Sequence, residues 1–133
     1  MIVAIADTHS AIWYLFNDPR LSLAARNAFA QATANGDHVG VSAISLAEIV
    51  YLAEKARIPE TTFENALEML RDPETVLTEV PVDSAVVEVM RFIARDQVPD
   101  LPDRIVAATG RRYGVPVISR DGKIRTAELR TIW

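Results

Sequence analysis

The stretch IVAIADTHSAIWYLF, residues 2–16, decides the fold. Its first five residues form an apolar run of strand length, and residues 10–16 carry apolar side chains at helical spacing. A single acid, Asp7, stands at the boundary between the two patterns. A buried strand followed at once by a helix opens an α/β fold, in which such an acid either caps the helix or faces the loops at the end of the strand.

The alternation of strands and helices continues along the chain. Further strands are predicted at residues 38–41, 75–80 and 115–119, with residues 130–133 as a fifth strand at a sheet edge. Helices are predicted at residues 23–34, 45–56, 60–70, 84–95 and 103–113. Strands separated by helices need crossover connections, which produce a parallel sheet covered on both faces. We therefore predict an α/β fold, a three-layer α/β/α sandwich with a mostly parallel central sheet of four or five strands.

Local signals mark several helix ends. Ser22 and Asp83 each precede a helical pattern as N-caps. Gly114, followed by Pro116, is the residue expected just beyond the end of a helix. These signals fix the boundaries of three of the predicted helices.

Composition limits the class of protein. A chain of 133 residues that is 50% hydrophobic is long enough for one core, so we expect a single domain over residues 1–133. The absence of cysteine excludes disulfides and thiolate metal sites. The start MIVAIADTHS lacks the features of a signal peptide, and Asp7 interrupts its apolar run. We expect a cytoplasmic protein without a membrane segment.

Charge is distributed unevenly. The formal net charge is −4, which argues against broad affinity for nucleic acids. Residues 103–133, however, contain seven basic and three acidic side chains, against seven and fifteen in residues 1–100. The last quarter is either a solvated charged face or a surface for a phosphate backbone, and charge alone leaves both interpretations open.

Four acids stand where strands end and helices begin. Asp7 follows the first strand, Glu48 and Asp103 lie in the first turns of helices, and Asp121 follows the fourth strand. Loops and helix N-termini converge outside the carboxyl ends of parallel strands. We therefore expect the four carboxylates to meet at one edge of the sheet.

Each acid also has an ordinary structural explanation. Asp7 is a suitable N-cap, and Ser45 with Glu48 matches a capping box. Asp103 complements a helix dipole behind Asp100, which is itself a possible N-cap. The fourth acid lies in the turn signature RDGK, residues 120–123.

The combination favours a metal site. Clustered carboxylates repel one another, so a stable cluster implies a cation between them. Oxygen ligands without cysteine or a histidine pair favour Mg²⁺ or Mn²⁺. Such ions activate water for hydrolysis of a phosphodiester without a covalent protein intermediate.

Neighbouring polar and aromatic residues also have both structural and functional explanations. Thr8, Ser10 and Ser119 are candidates for hydrogen bonds to the carboxylates or to a phosphate, or for helix caps. His9 and His38 are isolated and form no metal-binding or triad spacing. The aromatic side chains of residues 13–16 are interpreted as core and interface rather than as stacking platforms for bases.

The segments IADTHSAIW, SAISLAEI, LPDRIVAAT and VPVISRDGKI, in this order, resemble the PIN domain, and most closely the VapC-type toxins of type II toxin–antitoxin modules. The resemblance implies a Mg²⁺- or Mn²⁺-dependent endoribonuclease. It assigns metal binding and catalysis to Asp7, Glu48, Asp103 and Asp121. Thr8, Asp100 and Ser119 are auxiliary residues in this interpretation. Gly122-Lys123 stands where the family often has a further Asp or Asn.

The resemblance also implies partners. The expected partners are RNA as substrate, a second copy of the chain in a homodimer, and a cognate antitoxin. An antitoxin of this kind lies across helices near the site and presents a basic residue to the acids. The apolar faces of residues 12–16, 49–53 and 63–70 are candidates for both protein contacts, which the sequence does not separate.

The sequence fits three rival functions less well. A haloacid-dehalogenase-like phosphatase has a second Asp two residues after its nucleophile, where this chain has His9. A receiver domain needs an acceptor after the third strand, where Asp83 is a better helix cap. A non-catalytic PIN-like RNA-binding or scaffold module is expected to have lost one or more of the four acids, all of which are present.

Overall fold

The computed structural model describes residues 1–126 and 129–133. The strands are β1 (Ile2–Ala6), β2 (His38–Ser42), β3 (Leu77–Val80), β4 (Val117–Ile118) and β5 (Thr131–Ile132). The helices are α1 (Thr8–Leu15), α2 (Leu23–Ala34), α3 (Ala43–Glu54), α4 (Thr62–Arg71), α5 (Ser84–Met90), α6 (Leu101–Tyr113) and α7 (Gly122–Thr126). Within the described residues, no helix has the length and apolar character that a bilayer crossing requires.

The sheet is parallel throughout, with strand order β3-β2-β1-β4-β5. In the central strand, Ile5 pairs with Gly40 of β2 and with Val117 of β4. The chain builds from β1 towards β3 and then crosses back to β4, so the strand order reverses between β1 and β4. The loops that follow these two strands diverge and open a crevice at their carboxyl ends. The predicted parallel sheet, with residues 130–133 at an edge, is confirmed.

Helices cover both faces of the sheet, as the sequence predicts. Ala4 and Ala6 belong to a core cluster that includes buried residues of α1, α2, α3 and α4, whereas Ile5 belongs to a second cluster with α5 and α6. In β4, Val117 and Ile118 likewise point into different clusters. This alternation follows from the two-residue period of a strand, and it confirms the three-layer arrangement.

Helix α6 packs unusually close to β4. A Cβ built on Gly110 would lie 2.6 Å from Cγ2 of Val117 and 3.3 Å from the carbonyl oxygen of Val115. Only glycine therefore allows this approach without displacing its neighbours. The contact fixes the position of the helix whose first turn carries Asp103.

The helix ends marked by Ser22, Asp83 and Gly114 are confirmed, and the predicted start of α3 is wrong. The side chains of Ser22 and Asp83 cap α2 and α5, and Gly114 ends α6 with a left-handed φ of 67°. Helix α3, however, begins at Ala43, and its N-cap is Ser42, whose Oγ accepts the Ile44 N–H at 3.3 Å. The predicted capping box of Ser45 and Glu48 is therefore wrong, because Ser45 lies inside the helix.

Helix α5 is shorter than predicted, and α7 was not predicted at all. Beyond Met90 the chain leaves the helix, and Arg104 of α6 donates from Nη2 to the Met90 carbonyl at 3.1 Å and from Nε to the Ile93 carbonyl at 2.9 Å. These long-range bonds satisfy carbonyls that a continued helix would have used itself. The turn after β4 continues into the five residues of α7.

Candidate active site

A cavity of about 280 Å³ lies where β1 and β4 end. It is lined by Asp7, Thr8, His9, Trp13, Glu48, Asp100, Asp103, Arg120 and Asp121. The structure thus brings together the four acids that the sequence singles out, with two of the three auxiliary residues, Thr8 and Asp100. The third, Ser119, is fully buried directly behind them.

Asp7 caps α1 and also faces the cavity, so its two explanations do not exclude each other. Its Oδ1 accepts the Ser10 N–H at 2.9 Å, as an N-cap does. Its own N–H donates to the carbonyl of Ile118 at 3.0 Å, which ties it to the end of β4. The side chain is only 7% exposed. The cap uses one carboxylate oxygen, which leaves the other for the cavity.

Thr8 holds the carboxylate of Glu48 from across the site. Thr8 Oγ1 hydrogen-bonds to Glu48 Oε1 and lies 2.9 Å from Ser45 Oγ. Because a hydroxyl has one proton and a carboxylate is the stronger acceptor, Thr8 donates to Glu48, and Ser45 is left to donate to Thr8. Burial raises the pKa of Glu48 above its usual value, the Thr8 bond lowers it, and the neighbouring charge of Asp100 raises it further.

Three acids meet at the start of α6. Asp100 is the N-cap, as predicted, and its Oδ1 accepts the Asp103 N–H at 3.3 Å. Burial, the charge of Asp100 and a hydrogen bond with Asp121 raise the pKa of Asp103 to about 7. Burial and the neighbouring negative charges therefore favour the protonated form of Asp103 up to about neutral pH.

Ser119 positions Asp121 through the backbone. Ser119 Oγ accepts the Asp121 N–H at 2.9 Å, and Asp121 Oδ1 accepts the Lys123 N–H at 2.8 Å. The Ser119 N–H itself donates to the carbonyl of Ile132 in β5. The turn predicted for the sequence RDGK is thus present. It directs Asp121 towards the cavity and leads into the start of α7.

The chemistry of the donors fits a hard divalent cation. All the candidate ligands are carboxylate oxygens, and the pKa values of Glu48 and Asp103 are raised in part by their acidic neighbours. A cation would relieve that repulsion. In residues 1–126 and 129–133, no three carboxylates or imidazoles converge into a ready-made metal site.

Three side chains of the cavity were not predicted as site residues. His9 and Trp13 reach it from the first turns of α1, and Arg120 reaches it from the residue before Asp121. Trp13 is 4% exposed, as expected for core, yet one part of it lines the cavity. His9 and Arg120 could have been predicted from their positions in the sequence, because residues close to a strand-end acid lie in the same loop or helix start. Ser10, in contrast, is buried, and in the described part of the chain its Oγ has no hydrogen-bond partner.

The basic surplus of residues 103–133 does not form one surface. Arg104, Arg111 and Arg130 each donate to backbone carbonyls, at Ile93, Phe92 and Gly114 for example, and so support the packing around α6. Of the described residues, Arg120 alone among these seven bases lines the acidic cavity.

Comparison with known proteins agrees with this geometry. The family model described as "PIN domain" matches residues 4–128. Ribonuclease VapC22 of Mycobacterium tuberculosis (strain ATCC 25618 / H37Rv) is 28% identical over 126 residues, which cover 95% of this chain and 92% of that protein.

Among solved structures, DNA-bound VapBC from Salmonella typhimurium aligns with a TM-score of 0.73 and 20% identity, over 98% of this chain and 97% of that one. A toxin–antitoxin complex from Klebsiella pneumoniae aligns with a TM-score of 0.66 and 20% identity, over 98% and 96% of the two chains. At these identities the structural likeness concerns the fold. Because the family model matches nearly the whole chain, the chain belongs to the PIN domain family.

Proposed function

We propose that this protein is a Mg²⁺- or Mn²⁺-dependent endoribonuclease and the toxin component of a toxin–antitoxin module. The observation that carries the proposal is the convergence of Asp7, Glu48, Asp103 and Asp121 in one cavity from four separate segments of the chain. Structural explanations such as caps and turns account for single acids but give no reason for all four to meet. In this proposal the whole chain is one PIN-like domain.

The four acids hold the cation in this proposal. A bound divalent ion would supply a water of lowered pKa and would stabilise negative charge on the scissile phosphate. Thr8 keeps the Glu48 carboxylate turned towards the cavity, and Ser119 fixes the backbone of Asp121. Asp100 caps the helix of Asp103 and adds a further negative charge as an auxiliary acid.

The relatives support an RNA substrate and a protein partner. One relative is named a ribonuclease, and two structural neighbours are described as VapBC and as a toxin–antitoxin complex. By this likeness we expect a cognate antitoxin, a homodimer and action on RNA in the cytoplasm. Expression with the product of the adjacent reading frame, followed by size-exclusion chromatography, tests the partner. If the two proteins elute separately, the expectation of a cognate antitoxin encoded there is contradicted.

The structure narrows the surfaces available for protein contacts. In the three apolar segments predicted for this role, Ile12, Trp13 and Ile49 are buried in the core and are not accessible to a partner. The exposed large apolar side chains within them are Phe16, Val50 and Tyr51, at 40%, 39% and 54% exposure. We propose that Phe16, the C-cap of α1, and Val50 and Tyr51 of α3 supply these contacts.

The chain offers a matched pair of variants for the central test. Asp7 and Asp83 are both helix N-caps whose Oδ1 accepts a backbone N–H, at 2.9 Å from Ser10 and 3.1 Å from Val86. Asp7 lines the cavity, and Asp83 does not. Purified wild type, Asp7→Asn and Asp83→Asn are incubated with total RNA and Mg²⁺ or Mn²⁺, with and without chelator.

We expect wild type and Asp83→Asn to cut RNA only when the metal is present, and Asp7→Asn to be inactive. Cutting by Asp7→Asn, or cutting that persists in chelator, would contradict the metal mechanism. Wild-type protein that binds RNA but never cuts it would favour the scaffold interpretation instead.

A further inference from the structure

The wall of the cavity contains one permanent cation among its acids. Arg120 lines it together with five carboxylates, those of Asp7, Glu48, Asp100, Asp103 and Asp121. An arginine so placed would ordinarily form ion pairs with its neighbours. Within residues 1–126 and 129–133, the two ion pairs are those of the N-terminus with Asp37 and of Arg20 with Asp18, and neither involves Arg120.

The guanidinium of Arg120 is held by an aromatic ring instead. It lies 4.8 Å from the ring centre of Trp13, in cation–π contact. In the described part of the chain its N–H groups donate to no protein acceptor, unlike those of Arg104 and Arg111, which bond backbone carbonyls. A guanidinium that stacks by its face keeps its N–H edge available for a ligand. Arg120 is also exposed, so a ligand can reach it.

The Trp13 ring that holds the Arg120 guanidinium is fixed by its own packing. Its side chain is 4% exposed, and it packs against Trp133, with ring centres 5.7 Å apart. Arg20 also lies over Trp13, at 5.2 Å, but its charge is satisfied by Asp18 through two hydrogen bonds of 3.0 and 2.7 Å. Two arginines therefore stack on one ring, one with its charge paired and one without.

A polyanionic substrate needs such a cation at this place. The phosphates of RNA are repelled by the acidic wall, and the protein as a whole carries a net charge of −4. The backbone of Arg120 is held next to Asp121, whose N–H is bound by Ser119 Oγ at 2.9 Å. A guanidinium fork matches two phosphate oxygens at once.

We propose that Arg120 is a positioning residue that binds a backbone phosphate of the RNA adjacent to the one being cut. This assignment rests on the proposed ribonuclease function. Arg120 contributes binding and alignment of the strand, and the acids contribute the chemistry.

The test uses the full chain with substitutions at both arginines of the Trp13 ring. Wild type, Arg120→Ala, Arg120→Lys and the matched control Arg20→Ala are checked for folding by circular dichroism. The Kd for a fluorescently labelled single-stranded RNA of mixed sequence is measured in chelator over a series of salt concentrations. The KM and kcat for cleavage of the same RNA are measured with Mn²⁺.

We expect Arg120→Ala to raise Kd and KM about tenfold and to change kcat little, because one charge-assisted phosphate contact is lost. The slope of log K against log salt should fall in magnitude by about 0.7, the value for one phosphate of a single strand. Arg120→Lys should keep the slope and recover only part of the affinity. Arg20→Ala should resemble wild type.

Several outcomes would overturn the assignment. Unchanged Kd, KM and salt slope in Arg120→Ala, with an active wild type, would remove Arg120 from substrate binding. An equal loss in Arg20→Ala would show that the effect arises from the packing of Trp13. A fall in kcat alone would place Arg120 on the reacting phosphate rather than its neighbour. A wild type that neither binds nor cuts RNA would overturn the proposed function itself, and this assignment with it.

Discussion

The hydroxyl of Thr8 in α1 donates a hydrogen bond to the carboxylate of Glu48 in α3, across 40 residues of sequence. Ser45 Oγ lies 2.9 Å from the same hydroxyl, so a short chain of polar groups ends on the acid. The two helices are thereby connected at the cavity by a polar contact rather than by the apolar core alone.

Removing this hydroxyl should weaken metal binding. Thr8→Val keeps the size of the side chain but frees the Glu48 carboxylate, so we expect Mn²⁺ affinity to fall about tenfold, as is typical when a group that orients a ligand is lost. Calorimetric titration with Mn²⁺ measures this. Thr8→Ser should restore the affinity, and Ser45→Ala should have the smaller effect. Equal affinities of wild type and Thr8→Val would show that the hydrogen bond has no part in binding.

Stability in chelator should depend on pH through Asp103. Its pKa is raised from 3.8 to about 7 in the folded protein. The folded state then binds a proton that the unfolded state has released, so this contribution is greatest below about pH 4 and is lost as the pH rises to about 7. We therefore expect Asp103→Asn to gain stability relative to wild type on going from about pH 5 to about pH 8.

Urea unfolding of the two proteins in chelator at both pH values measures this difference. Asp83→Asn serves as the control, because Asp83 lies outside the cavity and should follow wild type at both pH values. A difference between Asp103→Asn and wild type that is the same at both pH values would refute the assignment of the raised pKa.

Metal addition should stabilise the folded protein. A ligand that binds only the folded state at a concentration a hundredfold above its Kd adds about 2.7 kcal/mol. We expect Mn²⁺ to raise the Tm of wild type and of Asp83→Asn, and the rise to be largely lost in Asp7→Asn and Glu48→Gln. Differential scanning calorimetry with and without chelator measures it. The same increase in all four proteins would place the ion elsewhere.

The close contact between α6 and β4 should not tolerate a methyl group. Gly110→Ala places a Cβ 2.6 Å from Cγ2 of Val117, and overpacking of this kind costs about 1–3 kcal/mol. Gly122→Ala is the control, because a Cβ there meets nothing within 4 Å. Chemical denaturation of both variants should show a loss for Gly110→Ala only. A Gly110→Ala protein as stable as Gly122→Ala would mean that the helix can move away from the strand.

The sequence predicts those features that depend on neighbouring residues. The strand-end position of Asp7, the caps Ser22 and Asp100 and the left-handed Gly114 are all found, because apolar periodicity and cap chemistry are local. The start of α3 was misplaced for an equally local reason. Ser42 and Ser45 carry the same capping hydroxyl three residues apart. Ser42 becomes the N-cap because β2 ends there and the helix follows directly.

What the sequence does not predict depends on distant contacts. Helix α5 ends earlier than predicted, where Arg104 donates to the carbonyls of Met90 and Ile93. No pattern within residues 84–95 indicates these bonds to a distant arginine. Arg120 looks like any surface base until the fold places it beside Trp13 and the acids. The four acids are predictable because each stands at a strand end or a helix start, so the same pattern recurs four times. Arg120 is a single basic residue, and no recurring pattern marks it.

Ile5 in β1 pairs in parallel with Val117 in β4, and under the proposed function this pairing would also set the time at which the chain becomes active. A chain still emerging from the ribosome has already made Asp7, Glu48 and Asp103, but Asp121 joins them only after β4 has been synthesised and has docked beside β1. Under the proposed function, an unfinished polypeptide lacks the complete set of acids and does not cut the mRNA from which it is being translated. Cleavage becomes possible only when folding is complete.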